Sequence, residues 1–356
     1  MRELRVEYPK LALHDVQSVA IERDLNQPDV ATILVMDRGA SIGKAIHLGD
    51  MLKIYGVPPG ADRDEEALLF AGELLGLEYQ TQHSTLMVQL RAFGLLHRLT
   101  RRRIAASIPI DSGEKQIKAI IEELTKGTGV AVGKVASRAV QVSQYAHLQT
   151  PFDVLGAMAY EAGCAVWIDD QSEAARDQLV FEQVPLGGSP TLTFVPKREL
   201  KGVPYVSARA EVSLVRLPSS VEVRGWNAKD QKAIVGIAKG ADVASGCKVA
   251  FPIKASEHPM LLSESDLLAD GDAEARAQHV MARAAAQAAS AEVVLDTLPP
   301  KGVVLGGAVK LAMHDQGEDP MNGSYFVRGL RISQRAGGIT TSTIKLSRHV
   351  VPKDPA

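Results

Sequence analysis

Several stretches of this 356-residue chain carry residue types that could do chemistry, and spacing decides each of them. GTGVAVGK, Gly127 to Lys134, is the one nucleotide-like string. A phosphate loop needs Gly where Thr128 stands and Ser or Thr, for magnesium, where Val135 stands. The string also follows a helical pattern, whereas dinucleotide fingerprints follow a strand and open a helix, so it reads as a helix stop and turn. Nine histidines run from His14 to His349 with no i, i+4 pair flanking a Glu and no cysteine partner, which is not zinc spacing. Ser263-Glu264-Ser265-Asp266, with Asp270 and Asp272, lacks the alternating ligands of a calcium loop and suits a helix N-terminus instead. Gly-x-Ser-x-Gly spacing occurs once, at Gly39 to Gly43, and by itself does not make a hydrolase nucleophile. Glu122-Glu123 lies on a helix face, where paired carboxylates are solvated. Arg98 and Arg101 to Arg103 could meet phosphate, but without interleaved aromatics they read as cations at a solvated helix end; an acidic protein surface remains a possible partner. No catalytic, cofactor or metal site emerges, and the expectation is a protein that is not an enzyme.

Composition agrees with an ordinary globular chain: 46% hydrophobic, 23% charged and a formal net charge of −2. A near-neutral balance lacks the concentrated basic surface of a dedicated nucleic-acid binder. Two cysteines, Cys164 and Cys247, make no disulfide framework and fit a reducing or indifferent compartment. The N-terminus MRELRVEYPK has no apolar signal core, and no run approaches the roughly 20 residues that span a bilayer. The expectation is assembly in the cytosol.

The elements divide the chain into 1–103, 104–195, 196–350 and a tail at 351–356. In the first part, Val16 to Glu22 and Val30 to Asp37 alternate as strands around a Gln27-Pro28-Asp29 turn. Phe93 to Arg103 then reads as a short helix. The second part holds two capped helices. Asp111 to Glu114 forms one capping box before Ile117, Ile120, Ile121 and Leu124. Thr150 to Asp153 forms another, with Pro151 at the first helical position, a stripe of Leu155, Met158, Ala159 and Ala162, and Gly163 as the stop. Strands follow both, Val130 to Val142 and Cys164 to Asp169, the latter paired with Gln178 to Val184. In the third part, Val206 to Leu217, Val221 to Trp226 and Ala233 to Ala238 read as strands. A long Ala-rich helix from about Asp272 to Glu292 is expected to lie flat on the outside of that part until Pro299-Pro300 ends it.

One stretch occurs twice. Leu305 to Val350 opens LGGAVKL, crosses a polar loop, and makes a hairpin of YFVRGLRISQ and ITTSTIKLSRHV with Phe326, Leu330, Ile332, Ile339, Ile344 and Leu346 on one face. Ile46 to Ala92 repeats the plan: LGDMLKI, a polar loop, LLFAGELLGLEYQ and STLMVQLRA. Leu48 matches Leu305, Phe70 matches Phe326 and Leu90 matches Leu346, a spacing that stays at 256 or 257 positions. The fold class that results is α+β and mainly β: two antiparallel β-barrels related by internal duplication, with an inserted small α+β lobe.

Val223 to Asn227 (VRGWN) followed by IVGIAKG resembles the baseplate-hub family of contractile tails, which includes phage late-control D proteins and the hub region of VgrG spike proteins. The residues carrying the likeness are Gly225, Trp226, Asn227 and Gly236; Gly72 in LFAGELLGL; Gly163 at the end of the Val142 to Asp169 segment, where Gln144-Tyr145 precedes a helix; and Tyr325 and Gly338 in the closing hairpin. The resemblance implies two barrels like those of the tail tube. It also implies a homotrimer whose six barrels give pseudo-six-fold symmetry, joining a hexameric tube protein to a three-fold spike. Baseplate wedge and tape measure proteins are further implied partners, in a virion or injection-particle baseplate assembled in the bacterial cytoplasm. VgrG proteins continue into a spike, and this chain stops at Ala356, so a separate spike protein is expected. The alternatives are a tail-tip protein that cleaves peptidoglycan, or one that binds it through the capped-helix lobe.

Overall fold

The computed structural model describes residues 4–353, except for 105–115, 137–148, 170–176, 184–188, 241–246, 253–258, 314–320 and scattered single or paired positions. The first part of the chain forms β1 (Arg5–Tyr8), β2 (Leu11–Ala12), β3 (Val16–Asp24), β4 (Val30–Met36), α1 (Ile42–Ala45), β5 (Met51–Gly56), β6 (Ala67–Gln82) and β7 (Thr85–Phe93), then a 3-10 helix at Leu95–Thr100. The middle supplies α2 (Gln116–Thr125), β8 (Ala131–Val135), α3 (Pro151–Ala162), β9 (Cys164–Asp169) and β10 (Gln178–Gln183). The remainder gives β11 (Thr193–Pro196), β12 (Val203–Tyr205), β13 (Ser207–Val212), β14 (Ser220–Asn227), β15 (Lys232–Lys239), β16 (Lys248–Pro252), β17 (Met260–Ser263), α4 (Asp270–Ala288), β18 (Ala289–Leu295), β19 (Ala308–Leu311), β20 (Gly323–Arg335) and β21 (Thr341–Lys353). The protein is mainly β, with the fold class that the alternating patterns imply.

Fifteen strands share one sheet, and within it two five-strand antiparallel runs have the same connectivity. The order β3-β4-β7-β6-β5 is matched by β13-β18-β21-β20-β19, first-second-fifth-fourth-third in both. The agreement extends to register. Leu74 pairs with Ala92, and Ala92 with Ala31, as Val327 pairs with Leu346, and Leu346 with Ala291. Each long strand has a bulge at the same place, after Leu74 in β6 and after Val327 in β20. Even the entry turn repeats: Gly49 N donates to Leu74 O at 2.7 Å and Gly306 N to Val327 O at 2.8 Å. Both glycines have positive φ, 101° and 75°, a conformation with a steric cost for other residues. The match of Leu48 with Leu305 therefore stands. Phe70 with Phe326 and Leu90 with Leu346 do not, because register aligns Phe326 with Glu73, three residues on, and Leu346 with Ala92, two residues on. Length differences in the intervening loops shifted the apparent offset.

Buried apolar residues form three clusters. The first runs through both five-strand units without a break, from Ile21, Ile33 and Leu90 to Val293, Ile332 and Ile344. The second joins Leu95, Leu96 and Leu99 of the 3-10 helix to α2, α3, β9 and β10. The third fills the space beneath β14 and β15 against α4. α3 carries the expected cap: Thr150 Oγ1 accepts from Asp153 N at 3.1 Å, and Asp153 Oδ2 accepts from Thr150 N at 2.9 Å. Gly163 ends it in the left-handed conformation. The box at Asp111 to Glu114 and the Gln144-Tyr145 pair lie outside the described residues. Asn26, in the turn after β3, ties this middle part to the sheet by donating its N–H to Val166 O and accepting from Val166 N, both at 2.8 Å.

Two expectations change. The long helix stops at Ala288, and Ala289–Leu295 is β18, the second strand of the second unit. Its Val293 and Val294 suit a pleated strand better than a helix. Nor is the far side of α4 open: it packs on β21, and the small β15-β14-β17 sheet covers its other side. Gly236 permits that approach, because a Cβ there would meet Ala273 C at 2.1 Å and Glu274 N at 2.2 Å. Gly236→Ala is expected to destabilise the protein by about 1–3 kcal/mol through this overpacking, read by urea unfolding. An unchanged midpoint would mean that α4 does not pack at this distance.

Candidate assembly interface

The geometry that distinguishes this molecule is a seam between its two β-units. β20 pairs with β21 along one side. Its other side pairs first with β19 and then, from Gly329 to Arg335, with β3 from Asp24 back to Ser18. Arg331 meets Glu22 across the seam at 3.3 Å, and Lys345 Nζ reaches Asp24 Oδ2 at 2.7 Å. Gly329 is the point of closest approach, since a Cβ there would stand 1.9 Å from Asp24 Oδ1. Ile332 and Ile21, opposite one another, are both fully buried.

The equivalent strands have no such partner. In β6 the half that corresponds to the seam, Gly76 to Gln82, pairs only with β7 among the described residues. The counterpart of β3 is β13, which pairs only with β18 among the described residues. Register places Tyr79 where Ile332 stands and Ala210 where Ile21 stands. Tyr79 is 53% exposed and Ala210 is half-buried, whereas both seam residues are at 0%. Each chain thus has one filled seam and the two unmatched halves of a second. Unpaired strand edges are templates for pairing with another chain.

The second unit also closes on itself. Val206 alone separates β12 from β13, so the 203–212 segment pairs with β11 at one end and β18 at the other, completing a circuit through β19, β20 and β21.

The residues singled out in the sequence, apart from Trp226, take packing or turn positions. Gly72 lies against Phe93 O, and Gly225 against Leu267. Asn227 Oδ1 accepts from Lys229 N and Asp230 N, shaping the turn into β15. Tyr325 is buried under Arg348, its hydroxyl donating to Met321 O at 2.8 Å, and Gly338 N donates to Arg335 O in the hairpin turn. Trp226 is 57% exposed, on a sheet face it shares with Val235, Ile237 and Leu261. Within Gly127 to Lys134, the glycines at 127 and 129 lie in the turn after α2, and Ala131 to Lys134 belong to β8. No cluster of His, Cys, Asp and Glu that could hold a metal occurs among the described residues, and none of their helices is long and apolar enough to cross a membrane.

The arginine cluster is where sequence reasoning missed a residue. Arg98 and Arg101 do not end a solvated helix; they converge on Glu73 of β6, a buried carboxylate. Arg98 Nε donates to Glu73 Oε1 at 2.8 Å, and Arg98 Nη1 to Thr128 O at 3.0 Å, so one side chain links β6 to the loop after α2. Burial alone would raise the Glu73 pKa, but the Arg98 hydrogen bond and the charges of Arg98 and Arg101 hold it below the usual carboxylate range. His97 Nδ1 donates to Gly94 O at 2.7 Å, leaving Nε2 to accept from Arg101 Nη2 at 2.6 Å. Burial, and then the Arg101 charge, push the His97 pKa down. A lone Glu within an apolar strand, GELLGL, was the available signal.

No family model and no curated protein matches the sequence. Solved structures do match it. A tail protein from Neisseria meningitidis MC58 superposes with a TM-score of 0.69 at 12% identity over 98% of this chain and 96% of that one. The 43 kDa tail protein of prophage MuSo2 from Shewanella oneidensis gives 0.69 at 13% identity over 98% of both. An Escherichia coli component of the type VI secretion system, itself structurally similar to bacteriophage T4 tail proteins, gives 0.61 at 12% over 99% of this chain and 79% of that one. This chain therefore has the fold of phage tail proteins.

The Glu73 cluster predicts acid sensitivity. His97 binds its proton less readily folded than unfolded, so its contribution is complete above the ordinary value of about 6.5 and declines as pH falls through it. Glu73, with its pKa depressed, contributes above the ordinary value of about 4.3 and is lost as pH falls lower still. Unfolding free energy should therefore fall between pH 7 and 5, and fall less in His97→Gln; equal slopes would remove His97 from the account. Glu73→Gln should cost about 2–3 kcal/mol at pH 7, discounted because Arg101 is half-exposed and keeps part of its hydration.

Proposed function

We propose that the chain is the structural hub of a phage-type tail or related injection particle. In this reading three copies form a ring between a hexameric tube protein and a separate three-fold spike, with wedge and tape measure proteins as further neighbours. The reading takes 1–103 and 196–350 as the two tube-like units and 104–195 as a lobe between them. Its supporting observation is the seam: a join made once within the chain, with both of its halves left unmatched elsewhere on the same chain.

The edges are complementary and different, β6 on one side and β13 on the other. Copies would therefore associate head to tail, and such contacts make either closed rings or open filaments. If the join between chains repeats the join within a chain, every unit meets its neighbour in the same way, and n copies give a ring of 2n equivalent units. Three copies then match a six-fold tube at one face and a three-fold spike at the other. The tail and secretion proteins that share the fold support a place in such a particle, and the role needs no catalysis.

The seam fixes the register expected between copies. Gln334 opposite Val19 corresponds to Thr81 opposite Ala208. Facing residues in antiparallel strands lie about 4.5–5.5 Å apart at Cα, within disulfide range. Oxidised Thr81→Cys/Ala208→Cys should migrate as a covalent trimer on a denaturing gel, while each single variant stays monomeric. The two native cysteines are buried and should not contribute. A double variant that is trimeric by light scattering but forms no crosslink would reject this register. A chain that stays monomeric with tube and spike proteins present would reject the hub.

A further inference from the structure

A cleft with a volume of about 330 Å³ opens where α3 meets α4 above β20 and β21. Its floor is apolar, built from Leu25, Ala159, Ala286 and Phe326, and its size falls at the lower end of the range for ligand sites. Two arginines line it, Arg283 from α4 and Arg328 from β20, and its lining contains no Asp or Glu. Elsewhere on the chain arginines repeatedly find carboxylates: Arg23 with Asp29, Arg224 with Glu222, and Arg276, two turns before Arg283, with Glu264. Neither Arg283 nor Arg328 has a carboxylate partner among the described residues. Arg283 is held in place, its guanidinium 4.0 Å from the centre of the Tyr160 ring.

Helix ends bear on the sign of the ligand. The end of α3 nearest the cleft is its C-terminus, at Gly163, whose exposed carbonyls would oppose an anion. His279 meets one of them: its Nδ1 donates to Glu161 O at 2.8 Å. No helix N-terminus lies in the lining, which removes the backbone N–H array that phosphate sites use. Gln183 and Gln287 supply side-chain amides, which can both donate to and accept from a peptide group. Apolar floor, amide walls and two uncompensated guanidiniums match an extended polypeptide with acidic side chains, since guanidinium pairs with carboxylate through two parallel hydrogen bonds.

We propose that this cleft docks an extended acidic segment of a partner protein, with Arg283 and Arg328 as its carboxylate-binding residues. The site is independent of the ring reading: it uses neither free strand edge, and a monomer would have it. A fluorescein-labelled octapeptide of alternating Leu and Asp is a suitable probe for the full chain, followed by fluorescence anisotropy. The wild type should bind it, and added NaCl should weaken binding. The Leu-Asn version, Arg283→Gln and Arg328→Gln should each weaken binding by about tenfold or more, the size expected for losing one charge-assisted hydrogen bond. Both arginines are exposed, so neither variant leaves a buried charge, and circular dichroism should be unchanged. No binding by the wild type, equal affinity for the two peptides, or indifference to both substitutions would overturn the proposal. Displacement of the peptide by millimolar inorganic phosphate would overturn it too, marking a simple anion site.

Discussion

A β-strand edge presents a row of backbone donors and acceptors, and the rest of this molecule follows from where those edges are satisfied. β20 satisfies three neighbours at once, β21 on one side and β19 then β3 on the other. That is possible because it is 13 residues long and bulged after Val327, so its two halves can turn toward different partners. Through it two units of the same design become a single sheet with a continuous apolar cluster. Gly329 sits at the crossing point, where a Cβ would stand against the Asp24 carboxylate.

β6, at 16 residues, is longer than β20 and has the same bulge but only part of its pairing. At the point where β5 leaves it, Glu73 enters the space beside the 3-10 helix and gathers Arg98, Arg101 and His97. The corresponding position in β20 is Phe326, part of the apolar cluster. One strand of the repeated pattern thus anchors the lobe through charge, and its counterpart packs through apolar contact. Identical topology does not require identical chemistry, because register constrains the backbone while each side chain answers to its own surroundings.

Much of this was legible in the sequence. Period-two alternation located most strands, the Thr150 capping box and Gly163 located α3, and the echo between LGDMLKI and LGGAVKL located the repeat. What was hidden depended on residues far apart in the chain. The β3–β20 seam joins Ser18–Asp24 to Gly329–Arg335, and no local pattern announces which edge a strand will offer. The α4–β18 boundary was missed because Ala288-Ala289 continues an Ala-rich run, and alanine marks no boundary by itself. The arginines were misplaced for a related reason: their partner precedes Arg98 by 25 residues and Arg101 by 28, and lies on another element. The cleft beside α4 was equally invisible, since Arg283 and Arg328 meet only through tertiary packing.

The repeat also explains why the units can differ on one side and agree on the other. The strands that form the seam agree in order and register, so the proposed ring of three copies would be six-fold in its backbone. The insertions do not agree. The first unit is followed by the lobe of α2, α3 and β8 to β10. The second carries β14 to β17 and α4 between its first two strands. Around the proposed ring these additions would alternate, so the sheet would repeat six times and its decorations three times. A chain with one unit could supply only the first repeat, and a chain with two unrelated units only the second. Two units of one design with different insertions supply both, because strand pairing leaves the connecting segments free to differ.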